Sequence, residues 1–389
     1  MSQRLLFIAS MCASTATVGM LRAQQPTDPL RVTVAPTTVL TERRDSLQFV
    51  NCDLTVTNAG TDRLRIWEIE LEVFDSTGRL VVRKTVNSNG YQPGIVTVAP
   101  PILRPNETID IFNPFFWFDA DVPLHRLQYS IRYLIENTAA DSTRNQHRLP
   151  FDFDVEGRLT VLPHAYADRT PLILPLRGRL LVWDGHDFYS HHRRIPLHDP
   201  RVVQFGMRAN YNRFAVDLIA VDAGGNTHKG TAYNKENWFT YGMPVYAPGA
   251  GRVVASANHV PDNWFEGTRL RTPDVPDSDL VEGNFVLIDH GNGEFSIFPH
   301  MKPGSVRVKA GDAVRQGQMI GQVGFSGDAI FPHVHYSLVN AAHLMTADGV
   351  PIYFQRFRRL LGVTSKTEQN APVDSGDIIE STAQYDGGN

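Results

Sequence analysis

The stretch from Gly283 to Leu338, GNFVLIDHGNGEFSIFPHMKPGSVRVKAGDAVRQGQMIGQVGFSGDAIFPHVHYSL, constrains the chain more than any other. Apolar residues alternate in short runs at Phe285/Leu287, Phe295/Ile297 and Val306/Val308. Glycines at Gly291, Gly293, Gly304, Gly311, Gly317, Gly321, Gly324 and Gly327 punctuate them. A period of two over runs this short predicts strands, and glycines at this spacing predict tight turns between them. The stretch ends on Pro332-His333-Val334-His335. Residues two apart on a strand share a face, so His333 and His335 enter one site together. An imidazole pair on a rigid strand suits metal binding or proton transfer. A bare His-x-His is also found on ordinary half-exposed strands, and it is the surrounding pattern that gives this one meaning.

That pattern is His290-Gly291-Asn292-Gly293, Pro299-His300-Met301, then glycine-spaced valines from Val308 to Gly321, then Gly324-x-Ser326-Gly327, then the His-x-His. Upstream, Gly242-Met243-Pro244-Val245-Tyr246-Ala247-Pro248 and Gly251-Arg252-Val253-Val254 precede it. In this order the series resembles the catalytic core of the lysostaphin-like (LytM-type) zinc metallopeptidases, which cut peptidoglycan cross-bridges and short peptides. The resemblance implies an antiparallel β-sheet domain with a groove. It also implies zinc held by Asp217 and His335, with His300 and His333 as general base and oxyanion stabilisers rather than ligands. One piece departs from the family. A His-x-x-x-Asp motif there supplies two ligands, and the corresponding stretch here, Arg213-Phe214-Ala215-Val216-Asp217, has arginine in the histidine's slot. A guanidinium stays protonated and has no lone pair for a metal.

The 389-residue chain has room for more than one domain. Residues 1–23 read as a secretory signal, with Arg4, an apolar run from Leu5 to Met20, and a cleavage site after Ala23. No transmembrane span is expected after cleavage. Cys52 is then the one cysteine left, which excludes an internal disulfide; its place on the apolar side of a strand predicts a buried thiol. Residues 24–161 alternate as strands, clearest where Ile69, Leu71 and Val73 interleave with Glu68, Glu70 and Glu72, and predict an immunoglobulin-like β-sandwich without visible chemistry. The aromatics Phe112, Phe115, Phe116, Trp117 and Phe118 are expected to pack in its core or against the next domain. The fold class is therefore all-β: a sandwich, a connector over 162–204, the LytM-type domain over 205–363 and a disordered tail over 364–389. A net charge of −4 leaves no basic footprint for nucleic acid.

Function turns on the missing ligand. With Arg213 in its place, the expectation is an exported envelope protein, periplasmic or extracellular, whose domain faces peptidoglycan peptides or another envelope protein. Its site would bind or regulate more readily than hydrolyse. The alternative is a working zinc endopeptidase with a substitute ligand, for which His191, His192, His198 and His228 are the candidates.

Overall fold

The computed structural model describes residues 29–136, 153–276 and 279–385. The signal-peptide reading of residues 1–23 lies outside them. Among the described residues almost every element is a strand, and the longest helix is Pro200–Gln204. No helix among the described residues is long and apolar enough to cross a membrane.

The first domain is two five-stranded sheets. One carries the long hairpin Leu30–Arg44 and Leu47–Asn58 with Thr108–Phe112 beside it. The other runs Leu80–Asn87, Leu64–Phe74, Arg126–Ile135, Val155–Val161. Inward residues of both sheets, among them Val50, Leu54, Ile69, Leu71, Ile111 and Tyr129, make one apolar core. The outward glutamates of Leu64–Phe74 are neutralised across the sheet, with Arg132 reaching Glu70 at 3.2 Å and Glu156 at 2.9 Å. Cys52 is buried, and burial pushes its thiol up to about 12, so it packs as a small apolar side chain.

The second domain is built on a ten-stranded antiparallel sheet. In spatial order its strands are Ala313–Val314, Gly251–Ser256, Asn284–Asp289, Phe295–Met301, Val334–Val339, Val216–Ala220, Arg179–Asp184, Ile378–Ser381, Phe354–Leu361 and Thr364–Ala371. Two expectations change here. The segment 162–204 is more than a connector: Leu172, Leu174, Leu176, Leu180 and Val182 are buried in the same core as Val216, Leu218 and Tyr336. The tail is also ordered through residue 385. Ile378–Ser381 lies between two other strands with Ile379 fully buried, and Glu380 pairs with Arg179 at 3.3 Å and Arg358 at 2.9 Å. The tail's polar composition concealed this, because a strand hydrogen-bonded on both sides needs few apolar residues once its charges are paired. The basic stretch before it, Phe354–Leu361, is a strand of the same sheet.

The two domains meet along the Leu30–Arg44/Leu47–Asn58 hairpin. Phe116 stacks on Phe188 with ring centroids 4.0 Å apart, so the aromatic cluster packs partly between domains. Glu42 is buried there. It accepts hydrogen bonds from Asn51 Nδ2 at 2.6 Å, His186 Nε2 at 3.0 Å and the Tyr353 hydroxyl at 2.5 Å. Burial alone would raise its pKa, but His186, Arg44 and Tyr353 outweigh that and hold it at about 2, against an ordinary 4.5. A folded value below the unfolded one stabilises fully above about pH 4.5 and is lost as pH falls towards 2. At about 1.4 kcal/mol per unit the contribution is on the order of 3 kcal/mol. Thermal stability is therefore expected to fall steeply from pH 4.5 to 2. A Glu42→Gln variant should be less stable at pH 7 and show a shallower acid dependence; an unchanged dependence would place the acid sensitivity elsewhere.

Candidate metal centre

Three neighbouring strands set the site by their register. Asp217 on Val216–Ala220 pairs with His335 on Val334–Val339, and on its other side with Asp184 at the end of Arg179–Asp184. A register shift between Val182 and Asp184 brings Asp184 opposite Asp217. The next strand, Phe295–Met301, delivers His300. His300 has φ 62°, the left-handed region that a side-chain-bearing residue adopts at a cost of about 1 kcal/mol or more. Hydrogen bonds hold it there: its N–H donates to the Glu282 carbonyl at 2.8 Å and its carbonyl accepts from the Gly324 N–H at 3.1 Å.

Asp217, His300, His333 and His335 converge on one cleft of about 240 Å³, and His192 joins them. Each imidazole is tied from outside. His300 Nδ1 donates to the Ser326 carbonyl at 2.9 Å and His333 Nδ1 to the Phe331 carbonyl at 2.8 Å. His335 Nε2 lies 3.1 Å from Asn212 Oδ1. His192 Nδ1 lies 2.7 Å from Asp184 Oδ2, off the line of a regular hydrogen bond. The remaining nitrogens face inward. His335 Nδ1 is 3.1 Å and His333 Nε2 3.3 Å from Asp217 Oδ1, and His192 Nε2 is 3.7 Å from Asp217 Oδ2.

Burial governs the charges. It pushes His335 down to about 4, and pushes His300 well below the usual histidine range, with His333 and His335 adding to the effect. Burial would lower His333 too, but Asp217 outweighs it and raises it. Burial would raise Asp217, and His333 and His192 instead hold it well below the usual carboxylate range.

Among the described residues three sets of side chains could hold a metal: His192, Asp217 and His335; His300, His333 and His335; and Asp184, His191 and His192, in which His191 is exposed; the donor atoms of each set lie within 4.8 Å of one another. The first set fits zinc in its chemistry. Two imidazoles and a carboxylate are borderline-soft donors, and ligands about 2.0–2.1 Å from a tetrahedral zinc lie about 3.3 Å apart. His335 Nδ1 is 3.1 Å from Asp217 Oδ1, near that value, and His192 Nε2 is 3.7 Å from the other carboxylate oxygen, Oδ2. The carboxylate behind His192 is the usual outer partner of a metal-bound imidazole.

Of the other sequence candidates, Arg213, His198 and His228 lie elsewhere. Arg213 does not occupy the space beside Asp217; its guanidinium points into the first domain, with Nη1 2.7 Å from Asp53 Oδ2 and Nη2 donating to the Ala35 carbonyl at 3.2 Å. His198 pairs with Asp110 at 2.8 Å, and His228 stacks on Trp238 with centroids 5.2 Å apart. His191 lines the same cleft but is exposed there, with Nδ1 3.1 Å from Asp184. Asp184, Asn210 and Asn212 were not visible as site residues in the sequence. No motif marks them, since their role depends on strand register and on a loop fold. Trp238 does reach the cleft wall through Phe331, at 5.1 Å, and Trp183 meets the same ring edge-on.

Residues 226–347 match the model of Peptidase family M23. This chain carries an M23 peptidase domain. Two curated relatives share it by sequence. The peptidoglycan DD-endopeptidase ShyC of Vibrio cholerae is 33% identical over 264 residues, which is 66% of this chain and 50% of ShyC. ShyA of the same organism is 34% identical over 98 residues, 25% of this chain and 18% of ShyA. This chain thus spans half or less of the length of these relatives. Among solved structures, the catalytic domain of lysostaphin from Staphylococcus simulans aligns at 22% identity over 31% of this chain and 88% of that one, with a TM-score of 0.21. The matched M23 region contains His300, His333 and His335, and begins after Asp217, Arg213 and His192.

Proposed function

We propose that this protein is an active zinc endopeptidase of the cell envelope that cuts peptide bonds in peptidoglycan, with His192, Asp217 and His335 as its metal ligands. One observation carries the reading: His192 stands against Asp217 and His335, while Arg213, in the slot of the family's histidine, is turned away to Asp53. A binding-only site follows from an arginine in the metal position, and the Arg213 side chain lies at the domain interface instead. The relation to peptidoglycan DD-endopeptidases supports the substrate class and an exported location.

When bound, zinc supplies a Lewis acid and a water acidified towards neutrality. The protein's own groups handle the protons. With Nδ1 tied to a carbonyl, His300 presents Nε2 to the cleft, where it takes the proton of the attacking water and returns it to the leaving amine. His333, whose Nδ1–H is given to Phe331 and whose protonated form Asp217 favours, donates from Nε2 as an imidazolium at the place where negative charge develops on the scissile carbonyl oxygen. Phe331, Trp183 and Ile330 line one side of the cleft and give a peptide an apolar wall.

The test is incubation of the zinc-loaded chain with cross-linked peptidoglycan, with products identified by mass. Release of peptides cut within the stem or bridge is expected. A His300→Ala variant should keep its zinc and lose about 10²–10⁴-fold in kcat. A wild-type protein that holds zinc yet leaves peptidoglycan uncut would overturn the substrate assignment, and one that holds no zinc would overturn the mechanism.

A further inference from the structure

His192 does not sit on the sheet. It lies in the loop between Arg179–Asp184 and the helix Pro200–Gln204, and that loop has two kinds of support. From inside its own domain, Asp184 accepts from Ser190 Oγ at 2.5 Å and from the N–H groups of His191 and His192 at 3.2 Å. Asn210 Nδ2 donates to the His192 carbonyl at 2.9 Å. From outside, the first domain grips the same loop on both sides of the histidine. His186 donates to Glu42, Phe188 stacks on Phe116, and Arg193, the residue after His192, donates to Asn51 Oδ1 at 2.6 Å. Arg193 is 4% exposed, so it is committed to this interface. The loop that bears Asn210 and Asn212, which touch His192 and His335, is itself anchored in the first domain through Arg213 and Asp53.

We infer that the N-terminal sandwich is a structural half of the metal centre: its docking holds the 184–198 loop so that His192 reaches the ion, and metal affinity and domain docking are therefore coupled. This rests on His192 being a ligand, as proposed above. Asn51 and Phe116 are positioning residues in this scheme; neither lines the cleft. Coupling of this kind is reciprocal, so the ion also tightens the interface.

The experiment measures the zinc Kd of the full chain by competition with a chromogenic chelator. It compares wild type, Asn51→Ala, Phe116→Ala, and a control, Arg83→Ala, in the opposite sheet of the sandwich, where Arg83 makes an exposed ion pair with Glu72. The measurement is repeated in a His192→Ala background. Asn51→Ala and Phe116→Ala are expected to weaken zinc about 10–100-fold, the range for removing an outer partner of a ligand, and Arg83→Ala to leave it unchanged. In the His192→Ala background the two interface changes should have no further effect. Hydrogen exchange adds a second readout: zinc should slow exchange across the Leu47–Asn58 hairpin in wild type and not in His192→Ala. Unchanged affinity in folded Asn51→Ala and Phe116→Ala overturns the inference and leaves the endopeptidase reading standing. So does an equal loss in the His192→Ala background, which would mark a general loosening. Zinc binding in wild type that does not depend on His192 overturns both.

Discussion

Replacing His192 with alanine is expected to lower zinc affinity by more than about 100-fold, beyond the 10–100-fold typical of losing an outer partner, because a ligand itself is removed. Peptidase activity should fall with it. The same substitution at His191, His198 or His228 should leave zinc in place. His198 and His228 are engaged with Asp110 and Trp238, and His191 is exposed beside Asp184. The comparison that matters most is with His300→Ala. His335 belongs to both fully buried donor sets, so its removal cannot tell them apart. His192 and Asp217 belong to one, His300 and His333 to the other. Zinc measured in the purified variants after reloading decides between them. Loss in His192→Ala with retention in His300→Ala supports the mixed imidazole–carboxylate set, and the reverse result would assign the metal to the three histidines.

The second large effect concerns Arg213. Placing a histidine at 213, the position that the sequence resemblance assigns to a ligand, in an Arg213→His variant is expected to give no gain in zinc affinity and a marked loss of stability. The guanidinium is almost fully buried, with 3% of its side chain exposed against 11% for Asp53, and the pair is 2.7 Å apart. Taking one partner from a buried pair leaves the other charge uncompensated and costs about 3–5 kcal/mol. The midpoint of urea unfolding should fall accordingly. An Arg213→Met, Asp53→Leu double variant should recover much of the loss, since a buried ion pair exchanged for apolar groups is often neutral. Higher zinc affinity in Arg213→His would show that the 213 position still reaches the ion, and would count against the assignment of His192.

Much of this site was legible in the sequence because strands make their side chains predictable. The alternation that placed His333 and His335 together holds, and Asp217 meets His335 in register. The M23 assignment follows from the same glycine-spaced strands. What the sequence concealed was long-range. The direction of Arg213 depends on a carboxylate, Asp53, in another domain, and no local pattern reports which way a long side chain turns. His192 was one histidine among several in a polar segment, and only the fold of its loop around Asp184 distinguishes it from His191 beside it. The tail failed for a different reason: its strands are stabilised by backbone pairing and by ions from strands distant in sequence, which hydrophobic periodicity does not register.

Asp217 and His335 face each other across adjacent strands in the interior of a ten-stranded sheet. A slip of one residue in either strand would send one of them to the opposite face of the sheet. Every neighbouring strand would have to shift with it, so these two positions are effectively locked. The proposed third donor, His192, sits on a loop, where insertion and rearrangement are cheap. A metal centre divided in this way has one movable part. On the proposed assignment the loop histidine stands at 192 without any change to the sheet, which leaves position 213 free for another task, here the anchoring of a second domain.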